Sequence, residues 1–159
     1  MDYVLSYADL PKIHIAVALF IAVLIFMIYQ GKIHERIAAS VIMAWVFIVL
    51  SLTILSRTPY EGKHFDFTPF WERGYFSAEN KLNIFLLMPV GLLLPLLHKK
   101  WYEVFLTGLF CTCSIEVLQY LTKTGWFDIN DIMINEFGVI VGYIVGWVLW
   151  KIGQWIWRH

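Results

Sequence analysis

Charged residues are scarce in this sequence. Lysine, arginine, aspartate and glutamate make up 15% of its 159 residues, whereas soluble domains carry about a quarter. Hydrophobic residues make up 60%, and the formal net charge is zero. The low charge excludes an ordinary soluble domain, and the neutral balance argues against a nucleic-acid-binding protein. We therefore predict a polytopic membrane protein.

Cysteines and catalytic motifs are also scarce. Cys111 and Cys113 lie in an apolar run, where we interpret them as small packing residues and not as a disulfide or metal site. No serine lies in a nucleophile elbow, and zinc-protease and phosphate-loop patterns are absent. His64 with Asp66 is interpreted as a solvated pair. The first twelve residues, with Asp2 and Asp9 against one lysine, do not resemble a cleaved secretory signal, so we expect the first apolar run to be retained.

Five apolar segments are long enough, or nearly so, to cross a bilayer, which needs about 20 helical residues. The predicted helices are 13–30, 37–55, 82–97, 101–121 and 132–157. The third contains Pro89 and Pro95, and we expect it to be kinked. The predicted fold is an all-α membrane helix bundle, with residues 1–159 forming a single integral membrane domain.

The connections between the helices predict the orientation. Residues 57–81 are rich in aromatic side chains, which favour the headgroup region, so this loop should lie on the membrane or dip into it. Lysine and arginine divide evenly between the two sides, but the short turns 31–36 and 98–100 concentrate them close to the membrane. We predict a plasma-membrane protein with its N-terminus outside and its C-terminus in the cytoplasm.

Polar residues interrupt the apolar pattern between positions 114 and 135. Glu116 lies about 7 to 8 Å below the end of its predicted helix, which is deep for a short carboxylate. Glu116, Gln119 and Tyr120 share one helical face and should point into the bundle. Glu116 has two open roles: a buried clamp to another helix, or a carboxylate that handles protons or binds substrate.

Two aspartates open the fifth predicted helix. Asp128 is favoured as its N-cap, with Asp131 completing a start that resembles a capping box. Asp131 and Asn135 are four residues apart and should share a face. With Glu116 they could supply three oxygen ligands to Ca²⁺ or Mg²⁺. No spacing rule demands such a site, so neither a metal nor a cofactor is predicted.

The remaining candidate residues each have a structural interpretation, and some also have a functional one. Arg57 is an interfacial anchor or a guanidinium that binds a carboxylate or phosphate. Asn83 is favoured as a helix cap. Gly138, Gly142 and Gly146 recur every four residues and would let a neighbouring backbone approach closely. We expect this glycine face to pack on another helix, with the fourth predicted helix as the candidate.

Several short motifs follow one another in a fixed order. They are Ser56-Arg57, Phe67-Thr-Pro-Phe70, Asn80-Lys-Leu-Asn83 with Pro89-Val-Gly91, Glu116-Val-Leu-Gln119-Tyr120, Phe127-Asp128-Ile-Asn-Asp131, and Asn135-Glu-Phe-Gly138 to Gly142. This series, across roughly residues 57–147, resembles the VanZ-like family of bacterial membrane proteins. The resemblance leaves the first helix outside the matched region.

The resemblance implies a candidate polar site without assigning catalytic roles. Its members are Arg57, Asn83, Glu116, Gln119, Asp128, Asp131 and Asn135. The family's founding member is associated with resistance to glycopeptide antibiotics of the teicoplanin class, without a change in the cell-wall precursor. The predicted orientation places the polar cluster and the aromatic loop on the outer side, so we expect a protein that acts at the outer face of the membrane.

Three hypotheses follow, and whether the chain is an enzyme stays open. The first is a membrane protein that lowers the access of lipoglycopeptides to the cell surface. The second is an enzyme or binder for a lipid-linked headgroup that uses Glu116, Asp131 and Arg57. The third is a non-catalytic subunit that docks a partner protein through the glycine face. The expected partners are membrane lipids, with a lipoglycopeptide or a lipid-linked cell-wall precursor as ligand and no nucleic acid.

Overall fold

The structure is a computed structural model that describes residues 10–59, 61–62, 65–73 and 78–156. Within these ranges the fold is all-α, as predicted, apart from one pair of two-residue strands. The elements are α1 (Leu10–Ile28), α2 (Ile33–Leu50), β1 (Phe65–Asp66), α3 (Phe70–Arg73), α4 (Ala78–Leu93), α5 (Trp101–Thr122), β2 (Phe127–Asp128) and α6 (Ile129–Ile156). A π-helical turn, Ser51–Leu55, extends α2, and a 3₁₀ turn, Leu94–Leu97, extends α4.

Each predicted span coincides with one of these helices. Among the residues that the structure describes, four helical segments are long and apolar enough to cross a membrane: Pro11–Ile28, Ile33–Leu55, Trp101–Thr122 and Ile129–Ile156. The third predicted span corresponds to α4 and its 3₁₀ extension, whose apolar part, Lys81–Leu97, is shorter. With its polar first turn, however, α4 and the 3₁₀ extension measure about 32 Å, close to the roughly 30 Å of a bilayer core. The fifth span therefore depends on this shorter helix.

The predicted distortion of the third span appears as a change of helix type. Pro89 lies inside α4, and Pro95 lies in the 3₁₀ turn that follows it. Proline lacks the N–H group that the regular helical ladder requires, so the helix tightens here. His98 ends the segment with a left-handed φ of 56°. Its N–H donates to the carbonyl of Pro95 at 3.1 Å.

The glycine face packs on α4, and the expectation that it would meet the fourth predicted helix, α5, is wrong. A Cβ added to these glycines would overlap carbonyl oxygens of α4, those of Ile84, Met88 and Leu92 in turn. A four-residue glycine spacing shows that some backbone approaches closely, but it carries no information about which helix supplies it. The closest helix pair is therefore α4 with α6.

The core lies among the four helices α2, α4, α5 and α6. Its buried side chains include Val49, Leu87, Val104 and Val139, one from each. Large apolar side chains elsewhere point outward, as Phe110 does at 74% exposure. In water this surface would be costly, but it suits lipid, which is as apolar as the side chains themselves. The helix α1 packs chiefly on α2 and exposes most of its own surface.

Candidate functional site

Glu116 closes the hairpin between α5 and α6. Its side chain is 1% exposed, and Oε2 accepts a hydrogen bond from the backbone N–H of Asp128 at 3.0 Å. Asp131, Asp128 and Arg57 all lie within electrostatic range of the carboxyl group. Of the two roles left open by the sequence, this geometry is that of the clamp.

The start of α6 is capped, but with a different second partner from the one expected. The backbone N–H of Asn130 donates to Oδ1 of Asp128 at 2.8 Å, which is the N-cap bond predicted for Asp128. In a capping box the Asp131 side chain would accept the backbone N–H of Asp128. That N–H donates instead to Glu116 on the neighbouring helix. The capping-box prediction for Asp131 is therefore wrong, because a carboxylate from α5 already occupies that backbone donor.

Asn130, which was not among the predicted site residues, fastens the aromatic loop to this hairpin. It is fully buried, and Oδ1 accepts the N–H of Phe70 at 2.7 Å. Its Nδ2 donates to the carbonyl of Thr68 at 2.9 Å and to Oδ1 of Asp128 at 2.7 Å. Only its place beside two aspartates could have indicated this role, since an asparagine near a helix start usually reads as a local cap.

The two short strands complete the attachment of the loop. β1 and β2 pair in parallel, with Phe65 opposite Phe127 and Asp66 opposite Asp128. The Phe65 ring lies 4.5 Å from that of Tyr120 and 5.8 Å from that of Phe127. The aromatic loop is thus held against the helix ends in its described part. The predicted pair of His64 with Asp66 falls outside the described residues, because His64 is not among them.

A polar cleft opens where the end of α2 faces α4 and the start of α6. Its volume is about 460 Å³, and its lining is Trp45, Leu52, Thr53, Arg57, Leu82, Asn83, Phe85, Leu86 and Asp131. Asn83 Nδ2 donates to Asp131 Oδ1 at 2.7 Å across it. Three predicted site residues, Arg57, Asn83 and Asp131, therefore line one cavity.

Asn83 does not cap its helix. Because α4 begins at Ala78, Asn83 lies more than a turn inside it, and its side chain reaches α6 instead. Arg57 is exposed at the rim of the cleft, where Nη1 lies 3.5 Å from the carbonyl oxygen of Thr124. That carbonyl belongs to the turn after α5. Arg57 therefore links the cleft to the hairpin that Glu116 closes.

Gln119 supports the cleft from behind. It is 5% exposed, and Nε2 donates to the backbone carbonyl of Thr53 at 3.3 Å. Thr53 lies in the π-helical turn that ends α2 and also lines the cleft. Such a turn disturbs the regular backbone pairing, and the Gln119 amide supplies a donor there. Glu116 and Gln119 both point into the bundle, as predicted, whereas Tyr120 is only half-buried.

Asn135 lies apart from the cleft. Its Nδ2 donates to Oγ1 of Thr112 on α5 at 3.1 Å, whereas Asp131 faces Asn83 on α4. The expectation that Asp131 and Asn135 act side by side is wrong, because a four-residue spacing still allows two side chains to reach different neighbouring helices. The three oxygen ligands considered for Ca²⁺ or Mg²⁺ are accordingly directed to different partners.

Glu136 is a buried carboxylate that the sequence reasoning missed. Its side chain is 7% exposed, and neither oxygen has a hydrogen-bond partner among the described residues. It packs over Gly108 of α5, where an added Cβ would lie 2.5 Å from Oε2 of Glu136. A glutamate inside a run as apolar as α6 was the available signal. It stands beside Asn135 in the sequence but outside the cleft.

The fold and the polar contacts define the class of protein. The chain is a small multi-pass membrane protein in which buried polar side chains join a loop, a helical hairpin and a cleft at one end of the bundle. A model of the VanZ/LLP1 family matches residues 13–151. The chain therefore belongs to the VanZ/LLP1 family. The match includes most of α1 and all of α2, so the expectation that the first helix lies outside the matched region is wrong.

A curated relative agrees with the family match. The chain is 30% identical over 119 residues to Protein VanZ of Enterococcus faecium. The aligned part covers 71% of this chain and 73% of that protein. No solved structure gives a significant match.

Proposed function

We propose that this protein acts at the outer face of the bacterial plasma membrane and lowers the sensitivity of the cell to teicoplanin-class lipoglycopeptides. Membership of the VanZ/LLP1 family and the similarity to Protein VanZ support the cellular role. The dense basic turns at the opposite end of the helices support the orientation, with the N-terminus outside and the C-terminus in the cytoplasm.

The observation that carries the proposal is the mixed lining of the polar cleft. Arg57, Asn83 and Asp131 supply a cation, an amide and a carboxylate. Leu82 and Phe85 form apolar walls that are 69% and 61% exposed, so that this side of the cleft faces lipid. Its volume of about 460 Å³ is in the range of ligand sites. The cleft suits an amphiphile with its acyl chain along the walls and its polar head against the three polar residues.

The lining favours binding over acid–base catalysis. Asp131 is the one carboxylate that lines the cleft among the described residues. Glu116, the other acid considered, accepts a backbone hydrogen bond and is not part of the cleft lining. Glu116 and Asp131 interact electrostatically, but only Asp131 lines the cleft, so the two carboxylates do not face a ligand there together. The ligand we propose is a lipid-linked headgroup or the lipoglycopeptide itself, recognised through its polar head and acyl chain.

Docking of a partner protein through the glycine face is the weaker candidate. That face is filled by the α4 backbone of the same chain, which leaves no room for a second helix at Gly142 unless α4 moves away. The cleft, by contrast, is open in this conformation. We therefore base the proposal on the cleft and not on the glycine face.

Drug sensitivity tests the proposal in a susceptible Gram-positive host. Expression should raise the inhibitory concentration of teicoplanin much more than that of vancomycin, which lacks the acyl chain. Asp131→Asn and Asn83→Leu should reduce the protection at unchanged membrane levels. Glu61→Gln, which changes an exposed carboxylate outside the cleft lining, should keep it. Equal protection against both drugs, or full protection by both cleft variants, would refute a site for amphiphiles.

A further inference from the structure

Three potential metal ligands meet at the end of the bundle opposite the polar cleft. His34 and Glu35 lie in the first turn of α2, and His98 follows the 3₁₀ turn after α4. One ligand atom from each lies within 4.8 Å of the others. His34 lies at the start of α2, whereas Arg57 follows the π-helical turn that extends its far end. The two sites are therefore separated by the length of α2 and this turn, about 34 Å. A ligand at this end of the bundle is therefore independent of one in the polar cleft.

We propose that His34, Glu35 and His98 form a binding site for a divalent transition-metal ion, with Zn²⁺ as the best match. Two imidazoles and a carboxylate are a ligand set that zinc accepts, with water in the fourth position. Zinc bonds of about 2.0 to 2.2 Å place tetrahedral ligand atoms roughly 3.4 Å apart. His98 Nε2 lies 3.3 Å and His34 Nε2 3.8 Å from the same oxygen, Oε1 of Glu35.

The carboxylate is oriented by a backbone contact. Oε2 of Glu35 accepts the N–H of Lys32 at 3.0 Å, which leaves Oε1 directed at both imidazoles. Outer-shell hydrogen bonds of this kind fix ligands in known metal sites. Gly31 makes this approach possible, since a Cβ there would overlap Oε2.

The His34 nitrogen that faces this point has no other partner. Its Nε2 is buried and makes no hydrogen bond to any described group. A buried polar atom without a partner is costly, and a metal ion would supply one. Trp150 of α6 covers the site, with its ring 5.1 Å from that of His34 and 6.1 Å from that of His98.

Two neighbouring cations, Arg36 and Lys99, are held by other partners. Arg36 Nε donates to the carbonyl of Phe26 at 2.9 Å, and its guanidinium packs 4.3 Å from the centre of the Phe26 ring. Lys99 pairs with Glu103 at 3.5 Å. Neither side chain therefore occupies the point between the imidazoles. A bound ion would tie the start of α2 to the end of α4.

Zinc binding to the full chain in detergent tests the site. The protein should carry a purification tag without histidine and be stripped of metal before titration with Zn²⁺ or Mg²⁺. We expect one equivalent of Zn²⁺ to bind, Mg²⁺ to bind far more weakly, and Zn²⁺ to raise the midpoint of thermal unfolding. Co²⁺ in the same site should give the strong visible absorption of tetrahedral coordination. Absence of saturable Zn²⁺ binding, or a preference for Mg²⁺, would overturn the proposal.

Matched variants locate the ion. His98→Ala removes a half-exposed ligand and should weaken Zn²⁺ binding at least about 100-fold, since even outer-shell changes cost 10- to 100-fold. Glu35→Gln should also weaken binding, although glutamine can still accept the Lys32 N–H. His14→Ala removes a histidine outside the cluster and should bind normally. Equal loss in His14→Ala and His98→Ala would assign the metal to another site, and the proposal would fall.

Discussion

Substitution of a single glycine on α6 gives the sharpest test of the packing described above. A Cβ at Gly142 would overlap the carbonyl oxygen of Met88 and lie 2.9 Å from the amide nitrogen of Leu92. Both atoms belong to the backbone of α4, so neither can rotate away. Because the interior is closely packed, Gly142→Ala should force α4 and α6 apart by about 1 Å. Every other backbone contact between the two helices would loosen with it.

The expected cost exceeds the usual gain from alanine in a helix. Overpacking typically destabilises by about 1 to 3 kcal/mol, and contact with backbone belongs at the upper end. Alanine offsets this by up to about 1 kcal/mol, since glycine is the poorer helix former. We therefore expect Gly142→Ala to lower the free energy of unfolding by about 2 kcal/mol. Gly153→Ala is the matched control, because nothing lies within 4 Å of a Cβ at Gly153.

The assay is reversible unfolding of the purified protein in mixed micelles with increasing sodium dodecyl sulfate, followed by tryptophan fluorescence. Gly153→Ala should be neutral or slightly stabilising, so the two variants should differ by about 2 to 3 kcal/mol. Gly91→Ala tests the same contact from α4, where a Cβ would overlap the carbonyl oxygen of Val139. Equal stability of Gly142→Ala and Gly153→Ala would refute the close contact of α4 with α6.

Four further predictions concern the polar residues. Asn130→Ala removes three hydrogen bonds that hold the loop and should lower the free energy of unfolding by about 2 to 3 kcal/mol. It should also expose residues 65–73 to protease cleavage, and resistance to cleavage equal to wild type would count against this attachment. Glu116→Gln retains an acceptor and should change the free energy of unfolding by less than about 1 kcal/mol, whereas Glu116→Ala should cost about 1 to 3 kcal/mol; the reverse order would argue for a charged role. Glu136→Leu removes a buried carboxylate without a described partner and should stabilise the protein by about 1 to 3 kcal/mol; destabilisation would indicate that Glu136 has a partner or ligand. In a background without native cysteines, Lys123→Cys should react with an impermeant maleimide in intact cells and Lys100→Cys only after permeabilisation; the opposite pattern would invert the proposed orientation.

The local features of the chain were readable because they depend on neighbours in sequence. Hydropathy and length located the helices, since burial in lipid demands an unbroken apolar run. Asp128 was recognisable as a cap because the donor it satisfies lies two residues away. The start of α6, three residues earlier than predicted, shows the limit of this approach: hydropathy marks where a helix becomes apolar and not where its backbone begins to coil.

Partners across the bundle were not readable in the same way. Asn83 looked like a cap, and its true partner Asp131 lies 48 residues further along the chain. Asn130 and Glu136 were passed over because their environment is created by segments distant in the sequence, the aromatic loop for Asn130 and α5 for Glu136. The ligand set of His34, Glu35 and His98 escaped motif reasoning for a related reason. Its members come from two separate turns, and no fixed spacing joins them.

The sequence alone thus determined that this is a multi-pass membrane protein of the VanZ-like type, with polar residues gathered at the ends of its last two long helices. Tertiary structure alone decided that α4 is the helix against the glycine face and that Arg57, Asn83 and Asp131 share a cleft. It also decided that Glu116 serves the hairpin. The physical reason is that helix formation follows the local order of apolar residues, whereas a side chain's hydrogen-bond partner depends on which distant segment the fold brings within 3 Å.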